Sequence, residues 1–158
     1  MQCRMIAAAL ALAAAGASFG ARADSPGLVG RWHWNPSQSS SVPGEAPPRD
    51  VLLVIESASA AHMQWQLTIV DPNGGRHVQS FSGSGDGKPA AVSGAPPGST
   101  GALTVSATSY EAVYANADGS SDRSTCSLSA DGKKLTCRGT DSDGKGHSAP
   151  YTDVYDRQ

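Results

Sequence analysis

The sequence is poor in charged residues, which make up 16% of its 158 positions, and poor in aromatic residues, which make up 6%. Charged side chains account for about a quarter of an average soluble domain. The 12 lysine and arginine residues are scattered and are outnumbered by 14 aspartate and glutamate residues. Nucleic acids and anionic membrane surfaces attract clustered basic residues, so this composition argues against both as partners.

Catalytic motifs are also lacking. The sequence has no His-Glu-x-x-His, no Gly-x-Ser-x-Gly and no phosphate-binding loop. A zinc site made from the two C-terminal cysteines and a histidine would lack the close Cys or His pair that zinc sites use. We therefore predict a protein that is not an enzyme and has no cofactor or metal. The histidines are expected to face solvent from strands and turns; they are His33, His62, His77 and His147.

The one long apolar run lies at the N terminus. Arg4 precedes an alanine- and leucine-rich run over residues 5–17, and the letters ARA at 21–23 match the small-x-small pattern of a signal-peptide cleavage site. The run is shorter than the roughly 20 apolar residues of a membrane-spanning helix. We predict a signal peptide over residues 1–23, no integral membrane segment, and a single periplasmic or secreted domain over 24–158.

Two of the three cysteines flank an Asp-Gly pair in the stretch CSLSADGKKLTC, residues 126–137. If the chain turns at that pair, Cys126 lies opposite Cys137 on two antiparallel strands, and Leu128 lies opposite Leu135. Side chains two positions apart share one face of a strand. All four side chains are therefore predicted to point the same way, into the core.

A pair of cysteines in an exported chain is typical of a disulfide. The turn is either a two-residue loop at the Asp-Gly pair or a four-residue loop over 130–133. The four-residue loop would make Cys126 and Cys137 a non-hydrogen-bonded pair, the closer of the two cross-strand classes. We predict a Cys126–Cys137 disulfide that contributes about 2 to 3 kcal/mol to stability.

Asn-Gly and Asp-Gly pairs recur along the chain and are strong hairpin signals; they begin at Asn73, Asp86, Asp118, Asp131 and Asp143. Between them, apolar and polar residues alternate, as in MQWQLTIV at 63–70. This alternation is typical of antiparallel sheets with one buried face. The predicted strands span residues 30–34, 51–57, 63–70, 77–82, 102–108, 111–116, 121–129, 134–140 and 148–156.

No segment after the apolar run has the period of a helix of ordinary length. Glycine and proline concentrate at 35–49 and 87–101, which we interpret as two long connections. Many short antiparallel strands in sequence usually avoid exposed edges by closing into a barrel. The predicted fold is all-β, an antiparallel up-and-down β-barrel of about 8–10 strands, similar in class to lipocalins and avidin.

Both ends of the predicted domain are similar to a known family. GLVGRWHWNPSQSSSVPGEAPP at 27–48 and GTDSDGKGHSAPYTDVYDRQ at 139–158 resemble the first strand and last hairpin of small exported bacterial domains of lipocalin-like, calycin-type fold. The resemblance implies a barrel whose interior can hold a small apolar molecule. It also implies that Trp32 of the Gly-x-Trp strand closes one end of the barrel beneath Arg157, through a cation–π contact.

Near the other end, the alternation within strands selects five aromatic residues to line an interior site; they are Trp65, Tyr110, Tyr114, Tyr151 and Tyr155. On the last strand, Asp153 and Arg157 share the face of the two tyrosines. The predicted function is non-catalytic binding of a small hydrophobic or aromatic ligand. The oligomeric state is left open.

Two alternatives from other classes remain. A protein-binding module, such as a periplasmic protease inhibitor, would use the N-terminal segment or the loops at the open end. A barrel enzyme would use an interior acid or base, for which Asp153 and Glu111 are the candidates. A cavity of a few hundred cubic ångströms would favour the ligand-binding protein or the enzyme, and a filled interior would favour the protein-binding module.

Overall fold

The computed structural model describes residues 27–40, 42, 44 and 46–158, so the predicted signal peptide lies outside the described residues. Within the described residues the chain forms ten strands and no helix. The strands are β1 (Gly30–Trp34), β2 (Asp50–Ala58), β3 (Met63–Val70), β4 (Arg76–Gly83), β5 (Asp86–Ser93), β6 (Thr100–Val105), β7 (Ser109–Ala115), β8 (Ser121–Leu128), β9 (Lys134–Ser142) and β10 (Ser148–Arg157).

The ten strands form one closed antiparallel barrel in which each strand pairs with its neighbours in the sequence. The barrel closes between β1 and β10, where Trp32 lies opposite Arg157 and Trp34 lies opposite Tyr155. This topology confirms the predicted up-and-down barrel. Among the described residues, none belongs to a helix of the length and apolar character needed to cross a bilayer.

The core follows from the period-two alternation of the strands. On β2, Val51, Leu53 and Ile55 point inward and are buried, while the residues between them are more exposed. On β3, Met63 and Trp65 are buried, whereas the residues further along the same face are only half-buried. The interior is therefore packed towards one end of the barrel and more open towards the other.

The closed end is built around Trp32, which is fully buried. Its Nε1 donates a 2.9 Å hydrogen bond to the carbonyl of Leu28, and the guanidinium carbon of Arg157 lies 4.1 Å from its ring centroid. A side chain at Gly30 would collide with Arg157, because an added Cβ would lie 2.5 Å from Nη1. The Arg157 guanidinium also donates to the carbonyl oxygens of Gly27, Val29 and Gly132. The expected cation–π closure is present.

The β8–β9 hairpin has the predicted register. Cys126 lies opposite Cys137 and Leu128 opposite Leu135, and the sulfur atoms are 2.01 Å apart in a disulfide. The backbone N–H of Ser129 donates to the carbonyl of Lys134 at 2.8 Å, which leaves a four-residue loop. The cysteines are thus a non-hydrogen-bonded pair with Cα atoms 3.9 Å apart.

The prediction that residues 87–101 form a connection is wrong for 87–93, which belong to β5, and for 100–101, which belong to β6. Asp86–Ser93 is strand β5, and the Asp86-Gly87 pair forms no hairpin. Gly87 has a φ of 88° and lies at a register shift against β6, which marks a bulge. The sequence does not predict this strand because it lacks the alternation of apolar and polar residues: Val92 is its one buried side chain, and most of its other residues are Pro89 or small residues.

Candidate ligand-binding cavity

A cavity of about 320 Å³ occupies the barrel interior beyond the packed end. A second cavity, of about 410 Å³, lies against the connection between β1 and β2 and is lined there by Ser40, Val42, Ala46 and Pro48. We call these the inner and the outer cavity. They share five lining residues, so they adjoin one another; the shared residues are Leu67, Asp122, Tyr151, Asp153 and Tyr155.

The structure brings all five aromatic residues selected from the sequence to the wall of the inner cavity; they are Trp65, Tyr110, Tyr114, Tyr151 and Tyr155. They belong to β3, β7 and β10, which are not neighbours in the barrel, and each faces inward at period two on its own strand. On β8, which pairs with β7, Cys126 lies opposite Tyr110 and Asp122 opposite Tyr114. Their position is as predicted, and their role in ligand binding stays a prediction.

Trp65 is the centre of the aromatic wall. It stacks on Phe81, with ring centroids 6.1 Å apart and planes at 16°, and it meets Tyr114 edge-on at 6.0 Å and 84°. Such pairs hold the rings in fixed relative orientations. The Nε1–H of Trp65 is buried and has no hydrogen-bond acceptor within the described part of the chain.

The four tyrosines of the wall keep their protons at neutral pH. Burial away from water raises the pKa of each phenol, and nearby carboxylates raise it further. The hydroxyl groups therefore present neutral hydrogen-bonding groups to the cavity rather than phenolates. A tyrosinate base is not available in this site.

Tyr151 reaches across β9 to Asp122 on β8. Its ring lies over Gly139, where an added Cβ would be 2.4 Å from Tyr151 Cζ, and its hydroxyl donates a 2.5 Å hydrogen bond to Asp122 Oδ2. The other oxygen, Oδ1, is buried without a partner among the described residues. Desolvation raises the pKa of Asp122, and the negative charges of Asp141 and Asp153 raise it further. The hydrogen bond from Tyr151 lowers this pKa and partly offsets the rise.

Asp153 lies between Tyr151 and Tyr155 on the inward face of β10. The Nε1–H of Trp34 donates a 2.9 Å hydrogen bond to Asp153 Oδ1. Desolvation raises the pKa of Asp153, and the Trp34 hydrogen bond opposes that rise. Asp153 and Asp122, which we call the acidic pair, line both cavities.

The described lining of the two cavities contains four carboxylates and no lysine, arginine or histidine. One carboxylate, Asp71, pairs with His77 at 2.6 Å. The acidic pair takes part in none of the ion pairs found among the described residues. The interior therefore has a negative electrostatic character that its own side chains do not neutralise.

One polar residue of the site, Asp122, was not selected from the sequence. It lines both cavities, and a signal for it exists, because it lies four residues before the inward-facing Cys126 on β8. Trp34, which donates to Asp153, lines the outer cavity. Asp153 is interior, as expected. Glu111 is not: it alternates with buried Tyr110 and is exposed on the outer face of β7, so its proposal as an interior acid or base is wrong.

The histidines lie on the outside of the barrel. The side chains of His33, His77 and His147 are 45%, 60% and 87% exposed, and each contacts an aspartate carboxylate at the surface. His62 is exposed in the turn between β2 and β3. None of the four lines either cavity, so the predicted solvent-facing placement is confirmed.

The fold is a closed antiparallel β-barrel, consistent with a calycin-like barrel, that is closed at one end by Trp32 and Arg157 and hollow towards the other. No protein-family model matches the chain, and a search among curated proteins finds no match. The closed barrel is consistent with the lipocalin-like resemblance of the two chain ends, and these comparisons add no evidence for that family.

Proposed function

We propose that the protein is an exported, non-catalytic binding protein that holds a small hydrophobic or aromatic molecule inside its barrel. The observation that carries this proposal is the inner cavity of about 320 Å³, whose wall contains all five predicted aromatic residues. Cavities of roughly 300 to 1,000 Å³ with apolar walls and a few polar groups are typical of small-molecule sites. A hollow interior disfavours the alternative of a packed barrel that acts through its surface loops.

A non-catalytic role is supported by what lines the cavity. The described wall offers no histidine, lysine or free thiol, and its tyrosines are held in the protonated form. Each member of the acidic pair accepts a hydrogen bond from a neutral donor, Tyr151 for Asp122 and Trp34 for Asp153. The barrel-enzyme alternative retains one supporting observation, the raised pKa of Asp153, which suits a general acid.

Export is supported by the order of charge, apolar run and small residues at the N terminus and by the Cys126–Cys137 bridge, since disulfides persist in oxidising compartments. Sequencing the N terminus of protein purified from the periplasm or medium tests this part. We expect a mature chain that begins near Asp24. An uncleaved chain retained in the cytoplasm would contradict it.

Ligand binding is tested by intrinsic fluorescence, because Trp34 and Trp65 line the cavities. The purified protein is titrated with fatty acids, isoprenoids and aromatic compounds. We expect saturable quenching or enhancement for at least one class at sub-millimolar concentration. Tyr114→Ala, which removes part of the wall, should weaken binding about tenfold. Glu111→Gln on the outer face is the matched control and should leave binding unchanged. If no compound binds, the protein-binding module replaces this proposal.

A further inference from the structure

No cationic side chain among the described lining residues lies against the acidic pair. Asp122 and Asp153 line a cavity whose described wall holds no cationic side chain, and Asp122 Oδ1 is buried with no hydrogen-bond partner among the described residues. Carboxylates removed from water are strongly unfavourable unless an opposite charge or several hydrogen bonds replace the lost hydration. Both residues are only half-buried, so water or a bound cation, and no described side chain of the wall, is left to supply that compensation.

The hydrogen bonds that the pair does receive orient the carboxylates without neutralising them. Tyr151 donates to Asp122 Oδ2 at 2.5 Å, and Trp34 donates to Asp153 Oδ1 at 2.9 Å. Both donors are neutral groups on barrel strands, so they fix the position of the charge and leave the net charge of the site unchanged. A fixed, uncompensated carboxylate is a preorganised partner for a ligand cation.

Aromatic rings surround the same space. Trp65 and the tyrosines of β7 and β10 line the inner cavity together with the acidic pair. A cation near aromatic faces is stabilised by the ring quadrupole, most strongly when water is excluded. An aromatic wall combined with half-buried carboxylates is a combination that recognises organic ammonium groups.

We infer that the molecule held in the barrel is an organic cation, a protonated amine or a quaternary ammonium compound with an apolar or aromatic body, whose charge lies against Asp122 and Asp153. This inference rests on the proposed ligand-binding function and names the class of ligand. The apolar body occupies the part of the inner cavity that Leu53, Leu67 and Val92 line.

Other ligand classes fit less well. A fatty acid would bring its carboxylate into a cavity that has two carboxylates and no described cationic side chain. A neutral hydrocarbon would leave the two carboxylates of the cavity wall without a positively charged partner. A metal cation would need more oxygen ligands than the pair supplies, and the described residues contain no group of three or more His, Cys, Asp or Glu side chains placed to hold one.

The test uses sets of probes that share one scaffold and differ in charge. One set is 2-phenylethylammonium, 2-phenylethanol and 3-phenylpropionate; another is dodecyltrimethylammonium, dodecanol and dodecanoate below their aggregation concentrations. Binding is measured by calorimetry and tryptophan fluorescence at neutral pH. Within each set that binds, the cation should bind at least about tenfold more tightly than the neutral member, and the anion should bind most weakly.

Isosteric variants link the preference to the acidic pair. Asp122→Asn and Asp153→Asn keep an oxygen that can accept the hydrogen bond from Tyr151 or Trp34, but remove the charge. Each should lower cation affinity about tenfold or more and leave the affinity of the neutral member within about twofold. Glu111→Gln removes a carboxylate from the outer face and should change neither. Circular dichroism of each variant establishes that the barrel is folded.

The outcomes separate the two proposals. If a neutral or anionic member binds as tightly as its cationic partner, or if the Asn variants keep the full cation affinity, the inference of a cationic ligand is overturned while the binding function stands. If no member of any set and no compound of the broader panel binds, the binding function itself is overturned, and the inference with it.

Discussion

The Tyr151 hydroxyl donates a 2.5 Å hydrogen bond to Asp122 Oδ2 across an intervening strand, over the backbone of Gly139. Tyr151 and Asp122 belong to β10 and β8, so their contact depends on a residue of β9 that has no side chain. The Tyr151–Asp122 hydrogen bond joins the aromatic wall to the acidic pair. The position of Asp122 in the cavity therefore depends on the packing of β8, β9 and β10.

Gly139→Ala is expected to break this arrangement. An added Cβ would lie 2.4 to 2.5 Å from three atoms of the Tyr151 ring and hydroxyl, so the ring must move and its hydrogen bond to Asp122 must weaken. We expect a loss of about 1 to 3 kcal/mol in the free energy of unfolding, as for other overpacked sites, measured by urea denaturation. Gly27→Ala is the control, since nothing lies within 4 Å of its added Cβ. Equal stability of the two variants would contradict the packing argument.

Trp32→Ala should be the more damaging of two aromatic truncations. Trp32 is fully buried, donates to the Leu28 carbonyl and lies beneath Arg157. Removing it should lower the free energy of unfolding by about 3 to 5 kcal/mol, the usual range for large buried aromatics. Tyr114→Ala should lower it by less, because Tyr114 borders empty space and is only partly buried. Denaturation curves of both variants check this order, and the reverse order would refute the assignment of Trp32 to the barrel floor.

The disulfide is expected to stabilise the barrel and to take no part in chemistry. Peptide mapping without reduction should recover residues 126 and 137 in one linked fragment, because their sulfurs are bonded. Replacing both cysteines with alanine should lower the free energy of unfolding by about 2 to 3 kcal/mol while circular dichroism remains that of a β-barrel. Free thiols at both positions in exported protein would rule out the bridge.

Neutralising either member of the acidic pair should stabilise the protein at neutral pH. Desolvation raises the pKa of Asp122 and of Asp153 above the ordinary value. The folded protein therefore holds these protons more tightly than the unfolded chain, and its stability falls as pH rises from about 4 through the raised pKa values. Asp122→Asn and Asp153→Asn lack that ionisation, so each should have a higher melting temperature than the parent at pH 7.

The matching control is the same comparison at about pH 3, where the aspartates are protonated in both states. The difference in melting temperature between each Asn variant and the parent should then largely vanish. A variant that is less stable than the parent at pH 7 would mean that the carboxylate is compensated inside the folded protein. We expect each Asn variant to be more stable than the parent at pH 7 and to bind cations less tightly, because a residue that serves binding can lower the stability of the fold.

Much of the fold could be predicted because it is encoded locally. The β8–β9 hairpin follows from an Asp-Gly turn and from leucines spaced two residues from each cysteine, and the register agrees residue by residue. The five aromatic residues of the wall were found by the same rule, because a residue that faces inward on an antiparallel strand faces inward in the closed barrel. Strand β5 was missed because its residues carry little alternation, and its pairing is imposed by β4 and β6.

The sequence by itself determined the all-β class, the order and facing of most strands, the disulfide and the aromatic set, because each depends on residues a few positions apart and on the two-residue period of a strand. Only the tertiary structure decided that the interior is hollow and that Asp122 and Asp153 border the same space. Cavity volume depends on how all ten strands pack together, and the Tyr151–Asp122 contact depends on a glycine of the strand between them. Such relations join residues far apart in the chain, and no local pattern encodes them.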